Sequence, residues 1–197
     1  MAMRGKVCGV VLAGGRAKRM AYQDKGLILY QNVPLVSYAI SALSPVVDKV
    51  FINANRNIDS YAQLGLPVVS DANDCFEGPL AGVLAAMRYA QAELWLVLPC
   101  DSPLVTVAHV RTLLNAATAD TIEVAIAHDG GQLQPVFMAI KSSVQKHLQD
   151  YLSAGGRKLT DFLIQLHYVT VDFSHSPELF TNINTLDQLA QLQARDA

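Results

Sequence analysis

Two glycines, Gly14 and Gly15, close an apolar, β-branched run that begins at Val7, and the stretch beyond them carries cations at Arg16, Lys18, Arg19 and Lys25. Those residue types in that order suit a phosphate. Glycine removes the Cβ atoms that hold backbone N–H groups away from a ligand, so consecutive amides can point at one cluster of oxygens. The basic side chains add the charge that amide dipoles lack. A glycine pair after a strand also serves ordinary tight turns, but an ordinary turn has no use for the cations or for the Asp24-Lys25 pair. The chain has no Gly-x-x-x-x-Gly-Lys-Ser/Thr, and Gly9 to Gly15 does not give Gly-x-Gly-x-x-Gly. Both the P-loop and the dinucleotide fingerprint are thereby excluded.

Three more polar residues stand near the ends of apolar runs. Asn53 follows Lys49-Val50-Phe51-Ile52, Asp71 follows Pro67-Val68-Val69-Ser70, and Asp101 follows Trp95-Leu96-Val97-Leu98-Pro99-Cys100. Asn and Asp in such places commonly start turns or cap helices. Asp101 differs because the run before it is the most hydrophobic in the chain and Ser102-Pro103 follows, which fixes a charge at the mouth of the core. The histidines at 109, 128, 147, 167 and 175 show no pair at metal-ligand spacing, which argues against zinc. His128-Asp129 reads as a solvated turn, and Ser102 lies in no Gly-x-Ser-x-Gly, so a serine hydrolase has no motif here.

The elements that must position these residues alternate between strand and helix. Strands are expected over residues 7–12, 26–30, 49–55, 67–71 and 95–101, with helices over 35–42, 57–64, 79–92 and 106–117. Pro34 and Pro79 open two of these helices, and Gly65 closes the second. Further strands are expected at 123–128, 135–140 and 168–173, and helices at 142–153, 159–166 and from Asn184 to about Arg195. Asp129-Gly130-Gly131-Gln132 reads as a loop too glycine-rich to pack. This rhythm calls for an α/β fold of three layers, a mostly parallel, Rossmann-like sheet with helices on both faces. In such sheets ligands bind beyond the carboxyl ends of the strands, so Gly14, Gly15, Asn53, Asp71 and Asp101 should line one crevice.

The 197 residues, 51% hydrophobic and 16% charged, fit a single domain with a full core, and a net charge of −2 leaves no global basic field for nucleic acid. Cys8, Cys75 and Cys100 are odd in number and widely spaced, which points to reduced thiols and the cytoplasm. No apolar run approaches the ~20 residues that span a bilayer, and the first apolar run is too short for a signal peptide.

The motifs Leu12-Ala13-Gly14-Gly15, Arg19-Met20, Asp24-Lys25, Asn53, Gly78-Pro79-Leu80-Ala81-Gly82, Pro99-Cys100-Asp101-Ser102-Pro103 and Asn182-Ile183-Asn184-Thr185, in this order, resemble the molybdenum cofactor guanylyltransferases, the MobA family of the nucleotidyltransferase superfamily. The first motif is shared across that superfamily and implies only the reaction type. Asn182-Ile183-Asn184-Thr185 and Asn53-Ala54-Asn55-Arg56 tilt the resemblance toward this family. Ala21 stands where the family usually has glycine.

The resemblance implies a nucleotide-diphospho-sugar transferase-like fold and transfer of GMP from GTP to molybdenum-bearing molybdopterin, releasing pyrophosphate and forming the guanine dinucleotide cofactor. It implies GTP contacts from Leu12, Ala13, Gly14, Gly15, Lys25, Asn53, Asp71 and Asp101, Mg²⁺ on Asp101, and charge neutralisation by Lys25 and Arg19. Gly78, Gly82, Asn182 and Asn184 would face molybdopterin, so that residues 1–120 carry the GTP and metal site and residues 121–197 contribute to the second substrate. Asp71 suits guanine, since a carboxylate accepts from both N1–H and N2–H₂. A P-loop GTP-binding companion, a molybdopterin-insertion protein and molybdoenzyme chaperones are the implied partners. Rival readings are a molybdopterin cytidylyltransferase, a sugar or polyol nucleotidyltransferase, and a non-catalytic nucleotide-binding regulator.

Overall fold

In chain order, the computed structural model contains β1 (Val7–Leu12), β2 (Leu29–Tyr30), β3 (Val33–Pro34), α1 (Leu35–Leu43), β4 (Lys49–Asn53), α2 (Ile58–Ala62), β5 (Val68–Val69), α3 (Pro79–Tyr89) and β6 (Leu94–Pro99), then α4 (Val107–Ala116), β7 (Val124–His128), β8 (Leu133–Lys141), α5 (Gln145–Ser153), α6 (Leu159–Leu163), β9 (Tyr168–Asp172) and α7 (Leu186–Arg195). It describes residues 6–13, 24–72 and 78–195.

Strand β1 is apolar on both faces and lies between parallel neighbours, β4 on one side and β6 on the other, with Leu12 level with both Asn53 and Pro99. A strand covered on both faces has no reason to alternate, which is why Val7 to Leu12 shows no polar residue. The sheet order is β5-β4-β1-β6-β8-β7-β9. The chain thus winds outward from β1 through β4 to β5, then returns to the other side of β1 at β6. This reversal at β1 opens a crevice beyond the carboxyl ends of β4, β1 and β6.

Strand β8 runs antiparallel to β6 and β7, while β9 is parallel to β7. The sheet is mostly parallel, as expected.

Successive side chains feed two separate cores. Cys8, Val10, Trp95, Val97, Ile126 and Met138 meet α3, α5 and α6 on one face. Val7, Val11, Leu96, Leu98 and Ala125 meet α1 and α4 on the other, together with Tyr61 of α2. Trp95, fully buried, donates its indole N–H to Ser142 Oγ at 3.1 Å, so no polar atom is orphaned there. A third, smaller core joins Ile28, Tyr30 and Leu35 to Ile183, Leu189 and Leu192, tying α7 to the hairpin β2–β3.

Several local expectations are corrected. Residues 26–30 are not one strand: a 3₁₀ turn at Lys25–Leu27 precedes the short arm β2. Gln31 and Asn32 both take positive φ, 47° and 63°, the backbone of a two-residue hairpin turn, and so Val33–Pro34 returns as β3 before α1 begins. The strand expected at 67–71 is two residues long, and the helix at 79–92 stops at Tyr89. Residues 130–132 are exposed, as expected of that loop, although a Cβ on Gly130 would lie 2.8 Å from that of Ser174. Asp129 organises this loop by accepting from Gly131 N at 2.8 Å, Gln132 N at 2.7 Å and Gln134 Nε2 at 2.8 Å, bonds that hold its carboxyl below the usual range. The 3₁₀ turn at Pro177–Phe180 has no counterpart among the expected elements.

Candidate active site

Lys25 and Asp101, 76 positions apart in the chain, meet at the crevice: Lys25 Nζ donates to Asp101 Oδ2 at 2.7 Å. The same ammonium donates to Asn184 Oδ1 at 2.6 Å. Each partner comes from a different element. Lys25 opens the 3₁₀ turn, Asp101 follows the end of β6, and Asn184 lies just before α7. Among the described residues two of the three ammonium N–H groups are occupied, leaving the third for a ligand. Asp101 is 9% exposed.

The segment after Asp101 is tied to the C-terminal one by two further bonds. Ser102 Oγ donates to Asn182 Oδ1 at 2.6 Å, and Ile183 N donates to the Asp101 carbonyl at 3.0 Å. Asn184 does not cap α7. That place belongs to Thr185, whose Oγ1 accepts from Gln188 N at 3.2 Å while Gln188 Oε1 accepts from the Asn184 and Thr185 amides at 2.7 and 3.1 Å. This reciprocal box leaves the Asn184 side chain available for Lys25.

On the other side of β1 a second polar group forms around Asp71. Its Oδ1 accepts from Asn53 Nδ2 at 2.9 Å and its Oδ2 from Asn55 Nδ2 at 2.8 Å, while Asp71 N donates to Asn55 Oδ1 at 2.8 Å. Asn53 Nδ2 also reaches the Val69 carbonyl at 3.1 Å. The carboxylate is therefore fixed in orientation with one lone pair of each oxygen used. Gly82 is buried inside α3, where an added Cβ would overlap Asn53 Oδ1 and lie 2.9 Å from Leu12 Cδ2. Its neighbours are thus on the Asn53 side. Gly78, with φ +83°, heads α3 in open space.

Ala13 donates its amide to the Asn53 carbonyl at 2.8 Å, and the Leu12 carbonyl accepts from Cys100 N at 3.2 Å. The Ala13 N–H expected to cradle phosphate is thus committed to the sheet. Gly14, Gly15 and Arg19 lie outside the described residues.

Sequence reasoning missed Asn55 and Ser102 as partners of the site, and also Tyr61. The Thr185 to Gln188 spacing was a legible signal for the true cap. Cys100 is buried, and burial first, then the neighbouring Asp101 charge, push its thiol above the usual range. No helix among the described residues is long and apolar enough to cross a membrane.

Residues 9–169 match the model of the MobA-like NTP transferase domain. The molybdenum cofactor guanylyltransferase of Shewanella halifaxensis is 42% identical over 190 residues, 96% of this chain and 95% of that protein. The Pasteurella multocida protein of the same name is 43% identical over 180 residues, covering 91% and 95%. The fold is that of molybdopterin-guanine dinucleotide biosynthesis protein A from Archaeoglobus fulgidus, with a TM-score of 0.79 at 21% identity over 96% of this chain and 98% of the other. A CMP:2-keto-3-deoxy-manno-octonic acid synthetase solved with CTP shares it too, with a TM-score of 0.75 at 14% identity over 97% and 98%. Such distant likeness speaks for the fold alone, but the family model and the relatives at 42–43% identity cover most of the sequence, and the chain belongs to the MobA-like NTP transferase family.

Proposed function

We propose that this chain transfers GMP from GTP to the terminal phosphate of molybdenum-bearing molybdopterin and releases pyrophosphate. The observation that carries the reading is the Lys25–Asp101–Asn184 constellation at the point where strand order reverses. An oxygen of the molybdopterin phosphate attacks the α-phosphorus of GTP, and the bond from that phosphorus to the oxygen bridging to the β-phosphate breaks. The electron pair leaves on pyrophosphate. No general base is needed, because the attacking monoester is already ionised near neutral pH.

What such a reaction requires is alignment and neutralisation of the charge that builds on the leaving group. Lys25 serves this with its remaining N–H. Asp101 and Asn184 hold its ammonium in place, and Arg19 with the Gly14 and Gly15 amides would complete the phosphate cradle. The donor set fits Mg²⁺ as nucleotide enzymes hold it. Asp101 offers one hard carboxylate, with Oδ2 on Lys25 and Oδ1 without a donor among the described residues, and phosphate oxygens and water would supply the remaining ligands. When bound, the ion would draw charge from the α-phosphate and the leaving group. Asp71 and Asn53 would read the base and ribose side. Gly78, Asn182 and Asn184 would flank the pterin side.

The test is pyrophosphate release from GTP, CTP, ATP and UTP in the presence of molybdopterin and Mg²⁺. Turnover with GTP well above the other three is expected. Preference for CTP, or turnover that does not depend on molybdopterin, would overturn the assignment.

A further inference from the structure

Beside the crevice lies a buried polar group that none of the steps above employs. Tyr61, on the short helix α2, is fully buried, and its hydroxyl donates to Asp24 Oδ1 at 2.6 Å. Asp24 is itself 6% exposed and also accepts from Asn57 Nδ2, at 3.3 Å, on its other oxygen. Burial, the neighbouring Cys100 and the bond to Asp24 all push the Tyr61 hydroxyl up, so at any working pH it is a proton donor. Asp24 immediately precedes Lys25. Gly26 immediately follows it, and a Cβ on Gly26 would lie 2.5 Å from the Tyr61 hydroxyl oxygen.

We infer that Tyr61 is a positioning residue for the transfer reaction, holding the Asp24-Lys25-Gly26 turn so that the Lys25 ammonium meets both Asp101 and the phosphates. The inference rests on the role proposed for Lys25. Its physical basis is that the backbone on both sides of Lys25 is located by one side chain. The Asp24 carboxylate is pinned by the hydroxyl, and Gly26 is seated against that same hydroxyl at a distance that excludes any larger residue. Helix α2 has only five residues and one buried side chain, Tyr61. Its single inward anchor is therefore the one that grips this turn. A lysine side chain is long and flexible, so fixing its backbone is what decides whether its ammonium reaches one point; displacement by about 1 Å at a reacting centre lowers rates by roughly 100-fold.

The experiment is a double-mutant cycle with Tyr61→Phe and Lys25→Ala, measured as kcat and KM for GTP with molybdopterin saturating, alongside thermal unfolding. The Phe ring keeps the packing and removes only the donor. Tyr61→Phe is expected to lower kcat roughly 10- to 100-fold with a much smaller change in KM. In the Lys25→Ala background the same substitution should cost less than about twofold, because the residue it acts through is gone. An equal loss in both backgrounds, or a Tyr61→Phe enzyme with wild-type kcat, overturns the inference while leaving Lys25 in its role. Full activity in Lys25→Ala alone overturns the role of the lysine itself. If Tyr61→Phe does not fold, Asp24→Ala enters the same cycle, since it removes the acceptor that the Tyr61 hydroxyl grips, and it should show the same dependence on Lys25. Equal losses from Asp24→Ala in the two backgrounds overturn the inference as well.

Discussion

At Asp101 the carboxylate holds one cation and, in the proposed reaction, would hold a second of a different kind. Oδ2 holds the Lys25 ammonium at 2.7 Å, and the charge is nearly excluded from water. An Asp101→Asn variant keeps the shape and the bond to Asn184 through Lys25, yet loses the negative charge that both the lysine and a divalent ion require. Turnover should fall by a factor on the order of 100 or more, with unchanged circular dichroism; retention of most of the kcat would rule out the metal role. Asp71 is held differently, between two amide donors. Replacing it by Asn turns one oxygen into an NH₂ group that faces the Asn53 or Asn55 amide, so an acceptor is lost at that point. Guanine donates from N1 and N2, and inosine lacks the second donor. Asp71→Asn should therefore lower kcat/KM for GTP more than for ITP, by more than about tenfold for GTP if each charge-assisted bond contributes roughly 1.5–3 kcal/mol. Equal losses for the two nucleotides would place Asp71 on the ribose or in a purely local role.

Among the elements, the strands of the first half were the most legible. Val7–Leu12, Lys49–Asn53 and Leu94–Pro99 are apolar runs that read as buried strands, and the ends of the last two place Asn53 and Asp101. Short elements were not legible, because tertiary contacts decide them. The turn at Lys25–Leu27 depends on Gly26 fitting against Tyr61, a contact 35 positions away that leaves no trace in local pattern. The start of α7 moves from Asn184 to Leu186, with Thr185 and Gln188 as the reciprocal pair that caps it. Helix α4 shows how a polar residue can be assigned from structure alone. His109 Nδ1 accepts from Thr106 N at 3.2 Å at its first turn. Burial lowers the His109 pKa below its ordinary 6.5, with Glu178 opposing and His175 assisting. The unfolded chain therefore takes up the proton first. The cap is intact above about pH 6.5, and its contribution is lost as pH falls below that value toward the folded-state pKa. Thermal unfolding followed from pH 8 to pH 5 should show a downward slope that His109→Gln reduces, since Gln is a neutral acceptor at the same position. An identical slope in the variant would assign the acid sensitivity to other groups.

For the molecule as a whole, the two ends of the chain are built into one site. The C-terminal segment supplies Asn182 and Asn184, and between them Ile183 is fully buried with Ile28, Tyr30 and Leu35, from the stretch that runs from the turn at Lys25 to the start of α1. The last core cluster thus does for the C-terminal segment what Tyr61 does for the turn before it. A ligand that reaches the Lys25 ammonium draws on a turn after β1, the end of β6 and the lead into α7, so binding should stabilise the folded chain as a unit. At a free concentration about 100 times Kd, a ligand bound only by the native state adds about 2.7 kcal/mol. For a chain of this length each kcal/mol moves the midpoint by roughly 2–4 °C. GTP with Mg²⁺ should then raise the melting temperature by roughly 5–11 °C, and Lys25→Ala should lose most of that shift. The comparison across nucleotides is the decisive part, since phosphate contacts are common to all four triphosphates and, in the proposed site, the Asp71 side would tell bases apart. CTP, ATP and UTP at the same concentration should give clearly smaller shifts. Four equal shifts would mean that binding stops at the phosphates, and the base preference would then have to arise after binding, when the second substrate closes the crevice.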